Sequence, residues 1–422
     1  MKGYFTVFAK LILISAVFTL TVFCVNAWAI GSEPEEVIIS RHVVIKVGDD
    51  VLLSKSYDLN PQLNHCLSST FSLSDAYYEY VNSGIDTFTV LDHMYSGLGA
   101  DISGIIGSLY ISPTDAKAHF HARELNKFTY ENESCGRKVD ENKLFNGFAD
   151  SLKSDDSELE ISFIEIKPNV TRLELENKTR LIGEFSTSFK TSGDARSNNI
   201  RLAANAINGT ILDTGELFSF NGTVGERTKE RGYKDANIIK DGVYVKGVGG
   251  GVCQVSTTLY NAALRAGLTV VEVNRHTLSA SYVPPSTDAM VSTSSDLKFI
   301  NGTGSNVYIE TSVNDKVLTV SVYGYLEDGV KYKVDSKVLK VIKPPAPEII
   351  ESSEMFVGEE TTVTKAHYGY ISEAYLLKYK DGKLLDKQCI RRDTYSTSRG
   401  VIKRGTKEKS FENVGGIRIF FD

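Results

Sequence analysis

The chain reads as a multi-domain α+β protein, and three observations carry that reading. Helical stretches are few, and in the middle of the chain the strands mostly follow one well-marked helix instead of alternating with helices. A length of 422 residues calls for about three domains of ordinary size. A stiff segment, Lys343-Pro344-Pro345-Ala346-Pro347, sets off a short tail patterned entirely as strands.

The elements follow in order. Lys2 and Lys10 precede residues 11–30, which carry no charge, and Ala27-Trp28-Ala29 fits a small-x-small cleavage site. Residues 1–30 therefore read as a signal peptide, and the apolar run is equally long enough to serve as an N-terminal membrane anchor. Either way the protein is expected outside the cytoplasm, secreted or membrane-anchored. Residues 31–175 form a first α+β region. Two β-rich runs in 37–59 flank Gly48-Asp49-Asp50 and predict a hairpin. Helices are expected at 74–82, 91–109 and 141–154, and strands at 117–123, 128–132 and 161–166. Pro168 and the polar stretch after it mark a boundary.

The second unit spans residues 183–325. It opens with a helix whose stripe is Ile200, Ala203, Ala204 and Ile207, stopped by Gly209. A loop-rich passage follows, then a second helix, then strands at 269–274, 279–283, 296–300, 306–312 and 316–323. Residues 343–422 are the linker and an all-β tail, in which 374–379 and 384–391 surround Lys380-Asp381-Gly382-Lys383, a strong hairpin signal.

The most chemically specific stretch is GVGGGVCQVSTTLYNAAL, residues 247–264. Its glycines let the backbone turn sharply, and Val255, Leu259, Ala262, Ala263 and Ala266 make a helical stripe stopped by Gly267. Cys253 then sits at a helix N-terminus, where unpaired N–H groups and a positive dipole favour the thiolate. A lone cysteine is otherwise a small buried hydrophobe. What points to catalysis is His276, placed directly after a strand, because a cysteine at a helix start with a strand-borne histidine recurs in acyl-transfer enzymes. The histidine would hold the thiolate as an ion pair and then protonate the leaving amine. Asp288 and Asp296 both qualify to orient it, and the sequence leaves the choice open. Backbone N–H groups at Gly251, Cys253 and Gln254, with the Gln254 carboxamide, are the candidate oxyanion donors. Arg227 and Arg231 are candidate contacts for charged substrate ends.

Other function classes find little support. A net charge of −6 without a basic patch gives no hint of nucleic acid binding. The glycine run lacks the spacing of a dinucleotide loop and the lysine of a phosphate loop, so no cofactor is expected. No metal site is expected either: paired Cys/His spacing is missing, and His119 and His121 read as surface residues on one strand face. Cys66 and Cys135 share a predicted domain and are positioned to pair in an oxidising compartment.

The stretches FSFNGTVGERTKERGYKDANII, GVGGGVCQVSTTLYNAAL, HTLSASYVPPSTDAMV and DLKF closely resemble the VanW domain family. The preceding region, with SLYISPTDAKAHF and GRKVDENKLFNGF, looks like the peptidoglycan-binding domain that often precedes VanW domains. The tail, with KDGKLL and RDTYSTSRGVIKRGTK, is similar to the five-glycine β-domain that often follows. Thr277 stands where the family usually has serine, which keeps the hydroxyl. The resemblance implies a cysteine-dependent L,D-transpeptidase that joins peptidoglycan stem peptides through a Cys253 thioester, with stem peptide and glycan as partners. Against it stand a non-catalytic wall-binding or glycopeptide-resistance accessory protein, and a cysteine peptidase that trims the same stems.

Overall fold

The computed structural model describes residues 40–61, 63, 73–153, 158–240, 243–408, 411–414 and 417–420. The expected signal peptide or anchor lies outside them, and so does Cys66, half of the expected pairing with Cys135. No described helix is long and apolar enough to cross a membrane. The fold is mixed α+β, with an all-β C-terminal region. It divides into two units, Met1–Ala116 with Asn132–Thr171, and Lys117–Glu131 with Arg172–Asp422.

In the first unit, strands Ser40–Val47 and Asp50–Asp58 pair as the expected hairpin around Gly48, whose φ is 56°. Glu158–Glu160 adds alongside in parallel. The helices are α1 (Leu73–Asn82), α2 (Thr87–Met94), α3 (Leu98–Leu109) and α4 (Glu141–Ser151). The single helix expected at 91–109 is therefore two. Asp86 caps α2 by accepting from the Thr89 N–H, and Gly97, at φ 83°, takes the left-handed turn into α3 that a side chain would disfavour. Val43, Ile45, Leu91, Met94 and Phe148 lie in a core of this unit's own.

The second unit includes a hairpin, Lys117–Phe120 with Phe128–Glu131, that the sequence reading assigned to the first region. Its aromatic residues decide the matter: Phe120 and Phe128 both pack against the rings of Tyr308 and Tyr323. The expected surface histidines find partners on this hairpin, His119 with Glu131 at 2.9 Å and His121 with Thr129 at 2.8 Å.

An antiparallel sheet runs in the order Arg180–Ser188, Val317–Gly324, Val307–Asn314, Thr210–Leu212. The helices here are α5 (Arg172–Lys178), α6 (Asp194–Ile207), α7 (Phe220–Val224) and α8 (Val252–Arg265). The stripes of α6 and α8 share one core with this sheet. Contact between α8 and the sheet is close because Gly183 has no side chain: a Cβ there would stand 2.6 Å from the Ala262 carbonyl oxygen. A second sheet holds Leu217–Ser219, Lys298–Ile300 and Thr269–Glu272. Two departures bear on the site. The stretch expected as a strand at 279–283 is loop, and an unforeseen hairpin, Asp235–Lys240 with Val243–Val248, leads into the glycine run.

The C-terminal region holds two three-stranded sheets, Val330–Ile342, Gly369–Lys380 and Lys383–Tyr395 in one, and Glu348–Phe356, Val401–Lys407 and Glu360–Thr364 in the other, and a two-stranded pair, Phe411–Val414 with Ile417–Phe420. The turn at Asp381 and Gly382 has φ of 50° and 78°, the two positive values a tight hairpin requires. The proline run joins the two sheets. It is thus an internal connection, since the strand before it, Val330–Ile342, pairs with a strand after it. Val334, Leu376 and Ile390 of this region pack against the core that contains α8.

Candidate active site

The glycine run shapes the approach to Cys253. Gly249 has φ 85° and Gly251 φ 112°, a geometry L side chains avoid, and a Cβ on Gly251 would meet the Arg196 Cγ at 2.9 Å. Asn199 of α6, fully buried, holds the turn by donating to the carbonyls of Gly250 and Lys234 and accepting from the Lys234 N–H. Gly251 is the N-cap of α8, so Cys253 lies in the first turn of that helix.

Beyond the cysteine, α8 is buried nearly all round, and its polar residues have a specific task. Ser256 donates to the Ala289 carbonyl at 2.6 Å, the Thr257 hydroxyl accepts from the Ala289 N–H at 2.9 Å, and Asn261 donates to the Thr287 carbonyl at 2.7 Å. These side chains recur at helical spacing from Cys253 and bind residues 287–289 to the helix. Cys253 itself, half-buried, reaches the Val291 carbonyl at 3.3 Å.

That loop delivers Asp288. Asn274 and Met290 form an antiparallel bridge, and two residues further along each arm His276 faces Asp288. His276 Nδ1 lies 2.6 Å from Asp288 Oδ2, and the His276 backbone N–H donates to the same oxygen at 2.8 Å. His276 is 7% exposed and Asp288 1%. Burial pulls the imidazole pKa down, but hydrogen bonds to Asp288 and Cys253 and the charges of both outweigh it and push it up to about 10. Burial likewise pushes the Cys253 thiol up, and the hydrogen bond and charge of His276, with smaller help from the charge of Arg227, bring it below its usual value. Asp288 stays below the usual carboxylate range, because His276, Arg391 and Tyr395 together overcome its burial. These shifts favour a thiolate, an imidazolium and a carboxylate at the three residues.

Two residues that the sequence reading passed over complete the surroundings of Asp288. Tyr395 donates to Oδ1 at 2.5 Å, while Arg391 donates to the Asp288 backbone carbonyl and places Nη2 3.6 Å from Oδ1. Arg391 also pairs with Asp393 at 2.8 Å. Arg391, Asp393 and Tyr395 alternate along one strand and so share a face, a pattern that the neighbouring charge of Arg392 hides in the sequence.

The remaining expected site residues fall in different places. Asp296 has other partners than His276: its carboxylate accepts from Ser219, the N-cap of α7, and from the Asn221 and Leu297 N–H groups. The Gln254 carboxamide is buried, accepts from Arg196 and donates to Thr187 and Ser188, which leaves nothing for an oxyanion. Its backbone N–H donates to Gly251, whereas the Cys253 N–H has no acceptor among the described residues. Arg227 lines the cleft beside Cys253 and is held by Asn221 and the Gly225 carbonyl. Arg231 instead donates to the Glu226 carbonyl and props the loop from behind.

Cys253 and His276 open onto a cleft of about 1390 Å³. Its walls carry both signs of charge, Arg196, Arg227 and Lys246 against Asp194, Glu226 and Asp235. Tyr282 lines the same cleft, and burial keeps its phenol protonated. Such a cleft suits an extended ligand that bears carboxylates and ammonium groups together.

Residues 195–323 match the family model described as VanW like protein, and residues 326–407 match the G5 domain. The chain thus carries a VanW-like domain followed by a G5 domain. It is 38% identical over 192 residues to the uncharacterized protein YoaR of Bacillus subtilis (strain 168), covering 45% of this chain and 61% of that protein. It is 28% identical over 151 residues to the vancomycin B-type resistance protein VanW of Enterococcus faecalis (strain ATCC 700802 / V583), covering 34% of this chain and 55% of that protein. The matches therefore span less than two thirds of the length of either relative. Among solved structures, the IgA1 protease G5 domain is 17% identical over 18% of this chain and 90% of that one, with a TM-score of 0.13. HP0197-G5 is 17% identical over 18% of this chain and 95% of that one, with a TM-score of 0.12.

Proposed function

We propose that this is an extracytoplasmic cell-wall protein that acts as a cysteine-dependent L,D-transpeptidase on peptidoglycan stem peptides. The observation that carries the reading is the buried pair of His276 and Asp288 at a charged cleft that His276 and Cys253 both line. The relatives support the setting, one of them being a vancomycin B-type resistance protein, and the G5 domain fits attachment to wall material. In the reaction, the Cys253 thiolate attacks the carbonyl of the L-centre of diaminopimelate in a tetrapeptide stem. The Cys253 N–H stabilises the oxyanion that forms. The intermediate collapses as the His276 imidazolium gives its proton to the departing D-alanine amine, leaving a thioester and a neutral imidazole. The side-chain amine of a neighbouring stem then attacks the thioester, His276 takes its proton, and the thiolate leaves. Mixed charge along the cleft matches stems that carry carboxylates and amines.

The test is direct. Purified protein incubated with disaccharide-tetrapeptide should show an acyl adduct on Cys253 by mass spectrometry and give cross-linked dimers, and Cys253→Ala should abolish both while keeping the fold. Trimmed monomers without dimers would make it a peptidase. Unchanged L,D cross-links in a strain carrying only Cys253→Ala would end the catalytic reading.

A further inference from the structure

We infer that the G5 domain completes the catalytic relay: Arg391 and Tyr395 are positioning residues that hold Asp288 ionised against His276. This rests on the proposed role of Cys253, His276 and Asp288.

The argument starts from the cost of a buried carboxylate. Asp288 is 1% exposed, and such a group ionises only if cations and donors surround it. His276 supplies one cation and two hydrogen bonds, all to Oδ2. Among the described residues, Oδ1 meets only the other domain, through the Tyr395 hydroxyl and the Arg391 guanidinium. The charged and titratable groups around Asp288 are therefore His276, Arg391 and Tyr395, with Cys253, Tyr260 of α8, Tyr282 and Asp393 one step further out.

Without Arg391 and Tyr395, burial would favour the neutral pair. The Nδ1 proton of the imidazolium would pass to Oδ2, leaving a carboxylic acid and an imidazole protonated only at Nε2. No proton is gained or lost, but the cation that holds the Cys253 thiolate disappears. The contact is also anchored beyond these two side chains. The Ser286 N–H donates to the Tyr395 hydroxyl at 2.7 Å, the Ser286 and Ser372 hydroxyls meet at 2.8 Å, and the Ser396 N–H donates to the Thr277 carbonyl at 2.9 Å. The loop that carries Asp288 is thus clamped between α8 and the G5 sheet.

The experiment measures the pH dependence of iodoacetamide alkylation of Cys253 in the full chain, followed on the Cys253 peptide by mass spectrometry. Arg391→Met should raise the pH midpoint by about one and slow alkylation at pH 6.5 about tenfold, and Tyr395→Phe should act in the same direction. Arg391→Lys keeps the charge and should recover part of the loss. Ser372→Ala, which cuts a hydrogen bond of the same interface away from Asp288, should leave the profile unchanged. Circular dichroism and thermal unfolding report on folding of each variant. If folded Arg391→Met and Tyr395→Phe react like the wild type, or if Ser372→Ala slows the reaction equally, the inference is wrong. If His276→Ala leaves the wild-type profile unaltered, there is no thiolate-imidazolium pair, and both this inference and the proposed reaction fall.

Discussion

The protonation of Cys253 is set by a contest between burial and its neighbours. A thiol this enclosed would keep its proton in apolar surroundings, and His276 is the largest influence that lowers it. The imidazole in turn is held charged by the hydrogen bonds to Asp288 and Cys253. A pH profile of transpeptidation follows from those directions. Activity should appear as pH rises through the lowered cysteine value, because the thiolate forms there. It should fall as pH rises through about 10, where His276 loses the proton the leaving amine needs. Initial rates with a tetrapeptide donor across that range would check it; a profile still rising above pH 10 would show that His276 is not the acid. The pair Cys253 and His276 was legible from residue type and placement alone. The choice between Asp288 and Asp296 was not, since both follow His276 at similar distance in the chain. Only the Asn274 to Met290 bridge, a pairing of two loop segments with no strand pattern, sets Asp288 opposite the imidazole.

At the level of elements, α8 does two things at once. Its apolar stripe packs on the four-stranded sheet, and its Ser256, Thr257 and Asn261 face holds the loop of Asp288. Periodicity exposed the first face. The second was hidden because hydroxyl and amide residues at helical spacing ordinarily face solvent, and nothing local says that a loop will cover them. The same limit explains the missed hairpin before the glycine run and the loop expected as a strand at 279–283. The seat of α8 depends on Gly183, where a Cβ would overlap the helix backbone at Ala262 and Ala266. Gly183→Ala should cost about 2 kcal/mol of stability by forcing the helix off the sheet. Chemical denaturation of wild type and variant gives the difference, and a change near zero would mean that the sheet yields instead.

For the molecule as a whole, two separate cores underlie the two units. Leu91 belongs to the first and is fully buried, so Leu91→Ala should destabilise that unit by about 3 kcal/mol. Hydrogen exchange should locate the loss in α2 and α3 while the amides of α8 keep their protection; faster exchange throughout both units would show one cooperative fold. The Asp381-Gly382 turn was legible from residue type. Domain edges were less so. The proline run looked like a linker because stiffness is a local property, whereas the pairing of Val330–Ile342 with Gly369–Lys380 spans it. The hairpin at 117–131 was likewise assigned by its neighbours in sequence, when its rings join Tyr308 and Tyr323.

One consequence concerns time. Asp288 meets the Tyr395 hydroxyl across 107 positions of chain and the Arg391 guanidinium across 103. During synthesis the cysteine, its histidine and its aspartate all emerge well before the strand that clamps them. If the proposed relay operates, the nascent protein therefore carries it unfinished until the G5 domain has been made and folded, and a chain cut short before that strand would have a quiet thiol.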